Sequence, residues 1–287
     1  MHNKGNLFIL SILFGLFTTV FSSCDNTVEL PVPDISGTVT DIDGNVYHTV
    51  KIGNQTWMVE NLMTSKYINM NGDTILISNV ADSASWGNLT KIAMVNNPRF
   101  AANTKYGKLY NWYAVSDTVK IAPAGWHVAT DEDWSKLEQY LIANGGNFDK
   151  SIIKNKIGKS LADTSGWKLL AGEGMVGNDL TQNNSSGFAG LPGGALLNGS
   201  VGSLGKDGYW WTSTVNTCND STLAKATIKI IDKKTLLEKD TVVSIDSVIV
   251  SNRYYPISRQ LSYSFSNLSK SFAFKKQTGL SIRCVKD

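Results

Sequence analysis

Apolar and polar positions alternate with a period of two near both ends of the chain, and shift once, clearly, to a period of 3.6 between them. Thr38–Thr40 and Val46–Ile52 flank Asp43-Gly44-Asn45, a turn sequence, and predict a hairpin. Gly53-Asn54 turns the chain into Gln55–Leu62, a predicted strand with Trp57, Val59 and Asn61 on one face and Met58, Glu60 and Leu62 on the other. Lys66–Ala102 mixes short apolar runs with Asn, Asp, Ser and Gly, which predicts long loops with brief strands. Tyr106–Val115 is dense in aromatics and fits either a strand or a short helix; Pro123–Val128 reads as a turn into a short strand.

The helical period belongs to Asp131–Asn144. Thr130 stands at the N-cap, Asp131, Glu132 and Asp133 crowd the first turn where the helix dipole favours them, and Trp134, Leu137 and Leu141 form the apolar stripe before Gly145-Gly146. A second helix is expected over Phe148–Leu161, weakened by Gly158. Further on, Ala224–Ile231 and Val242–Val250 predict a hairpin, and Arg259–Phe265 and Leu280–Val285 predict strands. Between the helices and these strands lies Gly187–Thr214, with eight glycines in 28 residues punctuated by Phe188, Tyr209, Trp210 and Trp211. Glycine at that density gives the backbone shapes that side chains forbid, so large aromatics must hold it in place.

The N-terminus reads differently. Lys4 precedes an apolar run, Leu7–Phe21, too short to span a bilayer comfortably, and Ser22-Ser23 lead into Cys24. The pattern resembles the lipobox of bacterial lipoproteins, with Phe21 where Leu is more usual, so residues 1–23 are expected to be a signal peptide and Cys24 the acylated first residue of the mature chain. A simple secretory peptide cut near Ser23 and an uncleaved helix are the alternatives. Residues 24–36, with Pro31 and Pro33, read as an extended tether, and the domain as 37–287.

Charge adds little: Lys and Arg number 27 against 24 Asp and Glu, a net +3 without a basic stripe, which gives no case for nucleic acid. Beyond Cys24 the only thiols are Cys218 and Cys284, and an oxidising compartment permits them to pair.

Six blocks of residues then carry a family resemblance. They are Val50–Leu62 (VKIGNQTWMVENL), Tyr106–Trp112 (YGKLYNW), Pro123–Val128 (PAGWHV) with Asp133-Trp134, Asn184–Gly194 (NSSGFAGLPGG), Gly208–Thr214 (GYWWTST) and Gly279–Asp287 (GLSIRCVKD). In this order they strongly resemble the Fibrobacter succinogenes major paralogous domain, a family of secreted proteins and lipoproteins. That family looks distantly similar to the C-type-lectin-like fold shared with formylglycine-generating enzymes. The resemblance implies an α+β fold: mixed, mainly antiparallel sheets, two helices, long loops, and N- and C-terminal strands lying together. It also implies a cysteine where this chain has Ala122, paired to the one matching Cys284, so that here Cys284 is either free or re-partnered with Cys218. Residues 225–254 appear as an inserted hairpin.

Candidate chemistry is thin. Nucleophilic catalysis needs an oriented base, and only His48 and His127 follow the leader, each in a short strand beside an aromatic and read as structural. Asp131, Glu132 and Asp133 are better explained as helix-start residues than as a glycosidase pair. Asn216, Asn219 and Asp220 are the oxygen donors from which calcium binding would be built; no other cofactor is expected. Oxidase chemistry of the formylglycine-generating kind would need Cys218 and Cys284 adjacent and reduced. Trp210 and Trp211 point to opposite sides of a strand, so one ring can be core while the other stacks on a sugar or anchors a protein. The expectation is a non-enzymatic lipoprotein of the cell envelope, at the outer membrane and held by lipid at Cys24, binding a glycan or an envelope protein. The alternatives are a structural or assembly component of the envelope and, third, an oxidase-like enzyme.

Overall fold

The computed structural model describes residues 29–80, 83–96, 104–115, 119–197, 199–231 and 238–287, and over 217–253 only the course of the backbone. The leader and Cys24 lie outside the described residues. Within the stretch expected to be a tether, Leu30 packs against the core and Leu30–Pro33 share a small cleft with Ile52, Tyr140 and Ser186, while Val32 and 34–36 are exposed.

Strands β1 (Gly37–Thr40) and β2 (Val46–Ile52) form the predicted hairpin. Asp41 builds its turn by accepting the N–H groups of Asp43 and Asn45, both at 2.9 Å, and the Tyr47 hydroxyl at 2.5 Å. Strand β3 (Gln55–Met58) continues the meander and ends four residues before Leu62, because the carbonyls of Met58 and Val59 turn to meet the buried guanidinium of Arg283. Brief strands follow in the long-loop region, β4 (Lys66–Ile68), β5 (Thr74–Leu76) and β6 (Ser78–Asn79), then the single turn α1 (Ser83–Trp86) and β7 (Ala93–Asn96). The aromatic run supplies both of its expected conformations, with β8 (Lys108–Tyr110) between two 3₁₀ turns.

After β9 (Trp126–Val128) comes α2 (Asp131–Ala143), placed where its sequence predicts. Thr130 Oγ1 accepts the Asp133 N–H at 3.0 Å and Asp133 accepts the Thr130 N–H at 2.9 Å, a complete capping box, while Trp134, Leu137 and Leu141 are buried. The second helix is a correction: only α3 (Gly158–Leu161) is helical. The buried Asn147 side chain holds the carbonyls of Ser151 (2.6 Å) and Lys154 (3.1 Å) and accepts the Lys156 N–H (2.8 Å), and Lys150 and Lys154 take left-handed φ of 58° and 64°. A side chain that satisfies the backbone in this way competes with the helical ladder and wins.

The remaining strands are β10 (Ala195–Leu197), β11 (Ser200–Gly202), β12 (Asp207–Ile231), β13 (Glu238–Ser262), β14 (Ser269–Ser271) and β15 (Cys284–Lys286). The predicted 224–250 hairpin is longer than expected: β12 and β13 pair from Asp207↔Ser262 to Ile231↔Glu238, so it continues the Trp210-Trp211 strand. The last strand, β15, inserts between β3 and β9, giving a five-stranded sheet in the order β1-β2-β3-β15-β9. The fold is therefore α+β with mainly antiparallel sheets and long loops, only β6 and β7 being a parallel strand pair among the described ones.

Two cores meet at this sheet. On one side Trp57, Trp134, Phe188 and Trp210 stack edge to face or tilted, with ring centroids 5.0–6.0 Å apart, joining β3, α2, the glycine-rich loop and β12. On the other, Trp211 packs with Tyr47, Met58, Tyr110, Leu280 and Ile282. Gly208 shows why glycine is needed between them: a Cβ there would sit 2.5 Å from the Leu191 carbonyl and 2.6 Å from the Trp210 ring.

Candidate functional site

The structure buries both Trp210 and Trp211 completely, which removes them as surface stacking groups. The alternation along β12 is as predicted, but both of its faces are covered at that point. Each indole N–H is also consumed, by Asn61 Oδ1 at 2.8 Å and by the Tyr110 carbonyl at 2.9 Å. Asn216 is exposed on the ribbon opposite Tyr255. The side chains of Cys218, Asn219 and Asp220 lie outside the described residues, and with them the calcium expectation. Cys284 is a free, buried thiol, so its pairing with Cys218 is not what the structure has. Burial pushes the Cys284 thiol well above its usual pKa, the reverse of a prepared thiolate. Among the described residues no three His, Cys, Asp or Glu side chains converge as metal ligands.

A site appears instead around β9. The Pro123–Gly125 turn and β9, together with Thr40–Ile42, Ile68, Val115, Val119–Ala122, Ser213 and Asp287, enclose an open groove of about 780 Å³. Its wall is largely aliphatic, from Ile68, Val115, Ile121 and Pro123, with the half-buried Trp126 beside it and Lys120, His127 and Asp287 at the polar margin. The turn is set by Gly125 at φ 75°, which lets Trp126 N–H reach the Pro123 carbonyl at 3.0 Å. The terminal residue closes it, Asp287 N–H donating to Gly125 O at 3.0 Å.

His127 and Ser213 line the same groove. The His127 ring is fully engaged: Nδ1 faces Asp287 Oδ1 at 2.7 Å and Nε2 faces Asp133 Oδ2 at 3.0 Å. Asp133 hydrogen bonding raises its pKa, burial opposes, and Asp287 adds to the rise. The Asp133 carboxyl works the other way: burial would raise it, yet the hydrogen bonds from His127 and Thr130 hold it down at about 2. Both ring nitrogens are thus taken up by carboxylates, and Ser213 Oγ donates to the Val128 carbonyl at 3.1 Å rather than to the imidazole. The arrangement ties the C-terminus to the start of α2. His48 is similarly held by Glu60 at 2.7 Å. The three carboxylates in the first turn of α2 serve structure, Asp131 receiving Arg259 and Lys270 at 2.6 Å each and Glu132 facing Lys136 at 2.9 Å.

A family match decides the relationship: the Fibrobacter succinogenes major domain matches residues 50–286. The chain belongs to that family. No curated protein and no solved structure matches it. Within the major domain, Arg283 is the residue whose part sequence reasoning missed. It is fully buried and donates to the carbonyls of Met58 (2.9 Å), Val59 and Phe188 (2.7 Å) and to Asn61 Oδ1 (3.0 Å), with its guanidinium 4.3 Å over the Phe188 ring. Burial lowers its pKa to about 9. Its one advance signal was an arginine in the mostly apolar strand Leu280–Val285. Trp126, inside the quoted Pro123–Val128 block, had no signal to distinguish it from a core tryptophan.

Proposed function

We propose that this major domain is a non-enzymatic binding module that takes its ligand in the groove beside Trp126, and that an acylated Cys24 holds it at the cell surface, on the outer membrane. The groove is the observation that carries the reading: a half-buried aromatic on an aliphatic wall, beside a His127 ring already held by Asp133 and Asp287, suits recognition better than turnover. The aliphatic wall favours a segment of an envelope protein, and Trp126 with Asp287 and Lys120 at the margin would serve a glycan. The fold is read as distantly C-type-lectin-like, supported by β15 lying between β3 and β9 so that the terminal strands share one sheet.

A glycan array and an envelope extract, probed in parallel with the wild type and Trp126→Ala, test the binding. Retention that falls about tenfold or more in Trp126→Ala, with the melting temperature unchanged, supports the groove; equal retention by both proteins counts against it. A mature mass beginning at acylated Cys24 tests the anchor separately. The second reading, an assembly component, is favoured by one observation. Past the Ser258–Gln260 pairing with β14, the β12–β13 ribbon has no third strand among the described residues, leaving its edges open to strand addition.

A further inference from the structure

Five large apolar side chains are exposed on three loops tied to one another: Ile152 and Ile153 (66% each), Leu169 (70%), Leu170 (37%) and Phe265 (58%). Scattered exposed hydrophobes need no explanation, but a group of them on adjoining loops does. The adjacency is set by the backbone. Asn147 organises 151–156, and the Phe148 ring lies against Gly174. Leu170 N–H donates to Gly177 O at 3.1 Å, Gly177 N–H to Tyr263 O at 2.8 Å, and Val176 N–H to Phe265 O at 3.1 Å. With the backbone so tied, the side chains are held outward.

The same loops are basic. Lys150, Lys154, Lys156 and Lys168 stand against Asp149 and Glu173, and Asp149 is already engaged by Lys156. We propose that these loops rest on an anionic bilayer, with Ile152, Ile153, Leu169, Leu170 and Phe265 entering the boundary between headgroups and acyl chains and the lysines meeting lipid phosphates. Apolar tips rimmed by lysine match the layered polarity of a membrane surface. A second copy of the chain fits less well, since pairing like with like would bring the lysines together.

The chain's path agrees, in an argument that rests on the lipid anchor proposed above. Leu30 docks beside Tyr140 and Ser186; Ser186 Oγ donates to the Ser160 carbonyl at 2.6 Å, and Ser160 Oγ donates to Gly146 O, next to Asn147. Six residues from Cys24 to Leu30 reach about 20 Å at most, so an acylated Cys24 would keep these loops near the bilayer.

Among the described residues the hydrophobic cores begin at Leu30, so a chain begun at Glu29, without leader or Cys24, keeps every core residue described here. Its flotation with phosphatidylethanolamine vesicles containing about one-third phosphatidylglycerol tests the face independently of acylation. The wild type is expected to float, the bound fraction to fall about tenfold in Ile152→Ser/Leu169→Ser, and binding to weaken with added salt and in Lys150→Glu/Lys154→Glu. Leu76→Ser, exposed in β5, is expected to leave flotation unchanged, and thermal melts of all variants confirm folding. Absence of flotation, flotation indifferent to both double substitutions, or sedimentation showing that Ile152→Ser/Leu169→Ser dissociates a dimer would overturn the proposal.

Discussion

His127 lies between Asp133 and Asp287, and a pH dependence follows. Its folded-state pKa lies above the ordinary 6.5, so its stabilisation is complete below that value and fades as pH rises through the raised one. Asp133, held at about 2, contributes above the ordinary 3.8 and is lost as pH falls towards 2. Together they act fully between 3.8 and 6.5. His127→Gln is therefore expected to lower the melting temperature more at about pH 5.5 than at about pH 9, and an equal drop at both would contradict the latch. Arg283 makes a larger demand. Arg283→Met leaves three backbone carbonyls, two of them buried, and Asn61 Oδ1 without this donor, an expected loss of about 3 kcal/mol or more in urea unfolding. Arg283→Lys should not rescue it, because an ammonium lacks the planar fork that serves acceptors on several sides.

Helix α2 and the loop after it show which elements were legible in the sequence and which were not. Thr130, the acidic first turn and the Trp134, Leu137, Leu141 stripe are local signals, and α2 begins where they place it. Thr130→Ala is expected to cost about 1 kcal/mol in the same unfolding measurement. Over 148–157 the apolar residues also suggested a helix, but the loop is shaped by one asparagine and by left-handed lysines, for which residue type gives no warning. Asn147→Ala should speed amide exchange at Lys156, whose N–H it now holds, while leaving α2 protected; unchanged exchange at Lys156 would contradict this account of the loop. The period of two correctly put Trp210 and Trp211 on opposite faces. It could not show that both faces are covered, because their covers come from Trp134 and Phe188 on one side and Tyr110 and Leu280 on the other, far away in sequence.

At the scale of the whole molecule the groove was illegible for the same reason: its lining is drawn from β1 and its turn, β4, the approach to β9, β12 and the last residue of the chain. The family resemblance located the blocks that build the core, and the structure turned attention from Trp211 to Trp126. The account's central claim is that this groove holds a ligand on the cell surface without chemistry. The most direct measurement is photo-crosslinking in intact cells, with benzophenone alanine placed at position 126 or, as a comparison, at the exposed Leu197. The account predicts a discrete adduct with an envelope protein or glycan from position 126 and none from 197. Adducts of equal yield from both positions, or none from 126 while the protein is folded and at the surface, would contradict it.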